Sequence, residues 1–335
     1  MINMDMITTL KQLVQVHGVS GEERGVADVI RELAAPYVDE CTTDVLGNLI
    51  CRKKGRGPKV MFAAHMDSIG LMVTHIGEEG FLRVGTVGGV RPANILHSMV
   101  RFSNGTLGAV STQAEDLSKL KADDLYLDIG AKDRAEAERL VSIGDTAAYV
   151  GDVVPMGNRL VSPYLDDRIG CLVLLMAMEQ IKESSNDLYF VFTVQEEVGL
   201  RGAKPAAYGI DPDYGIAVDV TGSDDTPGSK HGCSAKLGGG AGVKVMDASV
   251  ICHPEMVKRL NQLAREQDIS VQPDVPRTGG TDAGAIHISR VGVLTGGISI
   301  PCRYIHSPAE MVERSDVEAC ARLAAAFAMS GLPEI

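Results

Sequence analysis

The chain has 335 residues, of which 45% are hydrophobic, and it carries a formal net charge of −12. This length exceeds the usual size of one domain, so two domains are expected, and the acidity argues against a nucleic-acid partner because phosphate binding needs a basic surface. No apolar run reaches the length of a membrane span, and the amino terminus lacks the basic and then apolar pattern of a signal peptide.

The first seventy residues predict helices, a hairpin and one buried strand. The first thirty-odd residues are helical, residues 38–55 form the hairpin, and residues 59–66 form the strand. His65 and Asp67 lie at the end of this strand. Because they are two residues apart, both side chains point to the same face of the strand. A carboxylate beside a histidine commonly orients a metal ligand, although a satisfied polar pair at a strand end is the simpler interpretation.

The pattern of apolar and turn-forming residues changes after Asp67. Residues 70–160 contain short runs rich in valine and glycine, separated by turn signals, with one short helical segment at 133–142. This pattern is typical of a small β-rich domain. Because α/β alternation resumes afterwards, we expect this domain to be inserted between residues 1–69 and 161–335.

Helices and strands alternate through the rest of the chain. Helices are predicted at 167–183, 201–209, 254–267, 281–289 and 314–330, and strands at 187–195, 214–220, 242–247 and 291–300. Such alternation predicts a three-layer α/β/α domain.

Cysteine usage indicates a reducing compartment. The seven cysteines lie at positions 41, 51, 171, 233, 252, 302 and 320 and include no Cys-x-x-Cys pair. We therefore expect reduced thiols in a cytoplasmic protein with no nucleic-acid and no membrane partner.

Side chains typical of metal ligands recur where ligands bind in α/β sheets, at the carboxyl ends of strands. They are His65, Glu196, Glu197, Asp219 and His306 at strand ends, and Asp166 and Asp167 before the long helix. Each has an ordinary alternative, as a helix cap, a turn former or a solvated loop residue. Those alternatives do not explain why such side chains recur at so many strand ends.

Histidines and carboxylates without cysteine suit zinc, cobalt or manganese. Five ligands are too many for one catalytic zinc and suit two ions that share a carboxylate. A further carboxylate must then accept a proton from the attacking water, and Glu196, expected on the opposite side of the strand from Glu197, is the natural candidate.

Six segments together resemble the tetrahedral aminopeptidases, dinuclear metallopeptidases that include glutamyl, leucyl, lysyl and deblocking types. The segments are AHMDSIG, YLDDRIG, QEEVGLRGA, AVDVT, RTGGTDAGAIH and PCRYIHSPAE, in the family's order along nearly the whole chain. The resemblance implies a zinc-peptidase-like catalytic domain, a β-rich insert that pairs subunits, and twelve-subunit tetrahedral shells. Ser68 is a departure, since many relatives have glutamate there.

Carried over by position, the resemblance assigns roles to individual residues. It implies one ion held by His65, Asp166 and Asp219 and another held by Asp166, Glu197 and His306. Asp166 would bridge two divalent ions, zinc or cobalt with manganese as a further candidate. Glu196 would be the general base acting on a metal-bridging water, Asp67 would orient His65, and a cis peptide bond would follow Asp166.

The leading hypothesis is therefore an aminopeptidase that releases N-terminal residues from short peptides. A glycosidase is one alternative, but it has no use for His65 and His306. A non-catalytic, metal-stabilised shell is another, and it leaves Glu196 without a role. Gly279, Gly280 and Thr281 are candidate substrate contacts. His287, on the helix predicted at 281–289, is expected to be structural, and no role is assigned to the histidines at positions 17, 75, 97, 231 and 253.

Overall fold

The computed structural model describes residues 4–229 and 235–332, so His231 and Cys233 lie outside the described residues. Within this part, the chain forms an 11-stranded mixed sheet flanked by helices and a closed six-stranded barrel. The barrel is inserted after the third strand of the large sheet, and the chain then returns to complete that sheet.

Helices and strands alternate along the described chain. The helices are α1 (Met6–Val14), α2 (Arg24–Ala34), α3 (Pro92–Ile95), α4 (Arg134–Leu140), α5 (Leu165–Gln180), α6 (Ala203–Ile210), α7 (Pro254–Glu266), α8 (Ala283–Ile286) and α9 (Arg314–Met329). The strands are β1 (Glu40–Thr43), β2 (Leu49–Lys53), β3 (Lys59–His65), β4 (Gly70–Ile76), β5 (Leu82–Val87), β6 (Met99–Phe102), β7 (Leu107–Thr112), β8 (Leu125–Asp128), β9 (Thr146–Tyr149), β10 (Val154–Met156), β11 (Arg159–Ser162), β12 (Asp187–Thr193), β13 (Tyr214–Gly222), β14 (Ala241–Lys244), β15 (Val271–Asp274), β16 (Leu294–Arg303) and β17 (Glu310–Glu313). None of these helices is long and apolar enough to cross a bilayer.

The large sheet has a parallel centre. Its strand order is β1-β2-β12-β3-β13-β16-β17-β11-β10, and β14 pairs with both β16 and β15. Strands β12, β3, β13 and β16 run parallel, so their carboxyl ends meet at one edge. This edge is where α/β proteins usually bind ligands.

The sequence of β3 explains the three layers. Val60 and Phe62 belong to the main core, which includes α5, whereas Met61 and Ala63 pack with residues of α6 and α8. Alternate residues of a strand point to opposite faces, so a strand that is apolar at every position must be covered on both. The predicted α/β/α architecture is confirmed.

The β-rich insert is a barrel with strand order β4-β5-β8-β7-β6-β9, which closes by pairing β9 with β4. Its last strand ends at Tyr149, and β10 already belongs to the large sheet through its pairing with β11. The chain therefore returns to the large sheet before residue 160, the position at which the sequence analysis placed the end of the insert.

The strand predicted at 291–300 begins and ends later. Gly292 adopts a left-handed φ of 107° in a turn, which is closed by a hydrogen bond from its N–H to the carbonyl oxygen of Ser289. Pairing of β16 with β13 starts only at Leu294. The neighbouring helix, predicted over 281–289, is reduced to the single turn of α8.

The expectation that all thiols are reduced is wrong for one pair. Cys41 and Cys51 form a disulfide, because the hairpin register places them opposite each other with their Cα atoms 4.2 Å apart. The other described cysteines, at positions 171, 252, 302 and 320, are free and buried.

Candidate active site

The strand ends bring the predicted ligands into one cavity of about 630 Å³. Lining it are His65 at the end of β3, Glu196 and Glu197 after β12, Asp219 on β13, His306 after β16 and Asp166 at the start of α5. Asp67 is fully buried behind this cavity. The candidate residues are therefore neighbours in space although they come from five separate segments.

Asp166 lies between the two histidines. Its Oδ1 is 3.0 Å from Nε2 of His65, and its Oδ2 is 3.3 Å from Nε2 of His306. Asp219 Oδ1 lies 3.9 Å from His65 Nε2, and Glu197 Oε2 lies 3.1 Å from His306 Nε2. This arrangement forms two adjacent groups of donor atoms that share the Asp166 carboxylate.

Each histidine is oriented through its other ring nitrogen. Nδ1 of His65 lies 3.1 Å from the Asp67 carbonyl oxygen and 3.4 Å from Asp67 Oδ1, and Nδ1 of His306 lies 3.0 Å from the Gly89 carbonyl oxygen. A proton on Nδ1 satisfies these acceptors and leaves the Nε2 lone pair facing Asp166. This is the usual way in which surrounding groups prepare a histidine for a metal ion.

The structure distinguishes between Asp166 and Asp167, which are joined by a cis peptide bond as the resemblance implied. Asp167 also lies close to His65 and Asp219. However, its Oδ2 accepts the His65 backbone N–H at 3.2 Å and its Oδ1 accepts the Gly170 N–H at 3.1 Å. Asp166 and Asp167 have non-helical backbone angles, so Asp167 caps the regular part of α5 that follows it, and Asp166 faces both histidines.

Glu196 lies beside the histidine and carboxylate group, with Oε2 3.8 Å from Nε2 of His65. Strand β12 ends at Thr193, so Glu196 and Glu197 occupy the following turn and not opposite sides of a strand as predicted. Asp67 holds this turn, since its carboxylate accepts the backbone N–H groups of Glu196 and Glu197 at 2.9 and 3.2 Å.

Burial, together with neighbouring charges and hydrogen bonds, shifts the pKa of several groups in the cavity. Burial raises the pKa of Glu196 and Asp219 well above the ordinary values of these side chains. Burial lowers the pKa of His306, but hydrogen bonds to Asp166 and Glu197 outweigh that effect and raise it to about 11. The two histidines in turn hold the pKa of Asp166 below its ordinary value, against the effect of burial.

The cavity fits metal ions on two grounds. Its donor set of imidazole nitrogen and carboxylate oxygen suits zinc, cobalt or manganese. In addition, Glu197 Oε1 is a buried oxygen to which no group in the described chain donates a hydrogen bond. A buried acceptor without a partner is costly, and a cation would satisfy it.

Comparisons with known proteins identify the family. The sequence profile described as M42 glutamyl aminopeptidase matches residues 47–323. The chain belongs to the M42 family. A relative from Acetivibrio thermocellus, named as an aminopeptidase, is 48% identical over 321 residues, covering 95% of this chain and 97% of the relative.

Solved structures agree with this M42 assignment. An aminopeptidase from the archaeon Desulfurococcus kamchatkensis is 39% identical with a TM-score of 0.93, covering 97% of this chain and 94% of that one. The TET1 peptidase of Pyrococcus horikoshii, described as assembling into a tetrahedron or a large octahedral shell, is 32% identical with a TM-score of 0.87, covering 97% and 99% of the two chains. The resemblance to tetrahedral aminopeptidases is confirmed, and the chain is a peptide hydrolase of a metallopeptidase family.

The candidate substrate contacts also line the cavity of this M42 chain. Gly279, Gly280 and Thr281 form part of its wall, as expected. Lys244 lines the same wall, and its buried ammonium group lies 2.8 Å from Asp274.

Sequence reasoning missed two contributions to this M42 site. The insert supplies Gly89, which contacts His306 through its carbonyl oxygen. Glu310, buried at the start of β17, accepts backbone N–H groups of Asp166 and His306. Glu310 belongs to the segment PCRYIHSPAE, but its role depends on the pairing of a four-residue strand that the sequence did not predict.

Proposed function

We propose that this chain is a dinuclear aminopeptidase that releases N-terminal residues from short peptides. The observation that carries the proposal is the Asp166 carboxylate, which presents one oxygen to each histidine. A single carboxylate between two donor groups is typical of a pair of ions about 3.5–4 Å apart.

The proposed ligands follow from these contacts. His65, Asp166 and Asp219 would hold one ion, and Asp166, Glu197 and His306 would hold the other, with zinc, cobalt or manganese as candidates. Bound divalent ions supply Lewis-acid polarisation of the scissile carbonyl and lower the pKa of an attacking water.

Glu196 is proposed as the general base. Its carboxylate lies in the cavity beside His65, while its backbone N–H is held by Asp67. From this position it can accept a proton from the attacking water and return that proton to the leaving amine. Burial raises the pKa of Glu196, which brings the group closer to the range in which one carboxyl can both accept and donate a proton.

The two alternatives have less support. A glycosidase places two carboxyl groups on opposite sides of the scissile bond and leaves the histidines without a function. A non-catalytic shell leaves unexplained a carboxylate, Glu196, that faces the cavity beside the proposed ligands. Membership of an aminopeptidase family also favours peptide hydrolysis.

We also propose that the chain forms homo-oligomers in which the inserted barrel pairs subunits, with dimers assembling into a tetrahedral dodecamer. The related TET1 peptidase, which is described as forming closed shells, supports this proposal.

The activity test uses aminoacyl-p-nitroanilides with chelator-stripped protein, before and after addition of zinc, cobalt or manganese. We expect release from substrates with a free amine, only after metal addition, and none from the N-acetylated forms. Failure of every metal to restore release, in protein shown to bind two ions, would contradict the proposal.

The base assignment is tested with Glu196→Gln, which keeps the shape of the side chain and removes its basicity. We expect kcat to fall roughly 10²- to 10⁴-fold while both ions remain bound. The control is Glu255→Gln, since the Glu255 side chain is 68% exposed on α7 and does not line the cavity. Wild-type kcat in Glu196→Gln would exclude this residue as the base.

A further inference from the structure

Glu310 joins two of the segments that build the site. Its Oε2 accepts the backbone N–H of Asp166 at 2.8 Å, and its Oε1 accepts the backbone N–H of His306 at 2.9 Å. The residue is 2% exposed. One carboxylate therefore fixes the distance between the start of α5 and the loop that follows β16.

The sheet explains how Glu310 reaches both segments. Strand β17 pairs with β11, where Glu310 lies opposite Ser162, and also with β16. Strand β11 leads directly into α5, and β16 leads into the loop that carries His306. Glu310 therefore lies between the start of α5 and the loop that carries His306.

A role limited to stability would not require this residue. Burying a carboxylate is costly, and no lysine or arginine among the described residues forms an ion pair with Glu310. Its two hydrogen bonds to the backbone N–H groups of Asp166 and His306 offset part of that cost and hold both segments in place. His306 also has a left-handed φ of 63°, so its backbone is held in a conformation that non-glycine residues seldom adopt.

A second buried carboxylate acts in the same way on the other side of the cavity. Asp67 accepts the backbone N–H groups of Glu196 and Glu197. Together, Asp67 and Glu310 hold through backbone amides four of the residues that face the cavity.

We infer that Glu310 is a positioning residue, which sets the separation of Asp166 and His306 and thereby the affinity of the ion position they share with Glu197. This inference rests on the proposed ligand set. It does not rest on the identity of the substrate.

The test is Glu310→Gln, which offers one acceptor oxygen and turns an NH₂ group toward the second backbone N–H. We expect the affinity for one of the two ions to fall roughly 10- to 100-fold, as is typical when a group that supports a metal ligand is changed. Zinc or cobalt is titrated into metal-free protein against a chromophoric chelator, with no substrate present. Glu310→Asp, which keeps the charge but is one methylene shorter, is measured in parallel in case the glutamine variant does not fold.

Asp316→Asn is the matched control. Asp316 is fully buried and accepts the backbone N–H groups of Gly238 and Gly240 at 2.7 and 2.8 Å, but it does not line the cavity. We expect this variant to lower the unfolding temperature of the metal-free protein while leaving the affinity for both ions within twofold of wild type.

Wild-type affinity for both ions in a folded Glu310 variant would overturn the inference, and so would equal losses in the Glu310 and Asp316 variants. Metal binding without peptide hydrolysis by the wild-type protein would contradict the proposed function and leave the Glu310 result intact. Absence of divalent-ion binding by the wild-type protein would contradict both.

Discussion

Two adjacent aspartates have different environments. Asp166 presents its oxygens to His65 and His306, whereas Asp167 accepts backbone N–H groups of His65 and Gly170. Chemically identical changes at the two positions should therefore have different effects.

We predict that Asp166→Asn loses at least one bound ion and lowers kcat about 10²-fold or more, because a neutral amide is a poor bridging ligand. Asp167→Asn should retain both ions and change stability by less than about 1 kcal/mol, because asparagine caps a helix about as well as aspartate. Metal analysis of the purified variants together with thermal unfolding checks both outcomes. Equal metal content in the two variants would contradict the assignment of Asp166 as the bridge.

The sequence predicted the residues that follow long apolar strands. His65 and Asp219 could be found because the strands that carry them are continuous apolar runs, and the end of such a run marks the ligand edge of a sheet. The choice between Asp166 and Asp167 could not be made from spacing, because it depends on local backbone geometry. Glu310 could not be found because its partners are backbone groups, which leave no signature in the sequence.

At the scale of elements, the inserted barrel contributes to the site through the loop after β5. A Cβ atom added to Gly89 would lie 2.6 Å from Cε1 and Nδ1 of the His306 ring. A Cβ atom added to Gly85, within β5, would lie 3.4 Å from a methyl group of Thr74, which is an ordinary contact. The position of this loop is therefore fixed by the absence of a side chain at Gly89.

We predict that Gly89→Ala lowers kcat/KM by about 10²-fold, because an alanine methyl group must displace the His306 ring and small displacements of catalytic groups carry penalties of this size. Gly85→Ala should retain wild-type kcat/KM. Both variants are assayed on the same aminoacyl-p-nitroanilide at saturating metal. Full activity of Gly89→Ala would show that the loop is not fixed against His306.

Elements with a strong repeating pattern were predicted, whereas several short strands were not. The β3 strand and helices α5 and α9 are long enough for their apolar pattern to be recognised. Strands β15 and β17 have four residues each, too few to show a period, and they exist because neighbouring strands offer them hydrogen bonds. The end of the insert was placed late for the same reason, since β10 has only three residues.

At the scale of the whole molecule, the site concentrates buried acidic groups in a protein that is already acidic. Burial raises the pKa of Glu196, Asp219 and Glu310 well above the ordinary carboxyl value. Burial lowers the pKa of the two site histidines, but the surrounding carboxylates outweigh this effect. The pKa of His65 is therefore well above its ordinary value, and the pKa of His306 is raised to about 11. All these groups hold protons more tightly in the native metal-free protein than in the unfolded chain.

This difference predicts how stability depends on pH. For groups whose pKa is raised on folding, the native state binds more protons than the unfolded state, so the free energy of unfolding decreases as pH rises between the unfolded and folded pKa values. Between pH 7 and 9 the metal-free protein should therefore lose stability. Bound metal ions displace these protons, so the metal-loaded protein should be more stable and should vary less with pH. Thermal unfolding at pH 7, 8 and 9, with chelator and with saturating zinc, measures both slopes, and parallel slopes would show that these groups do not exchange protons for metal.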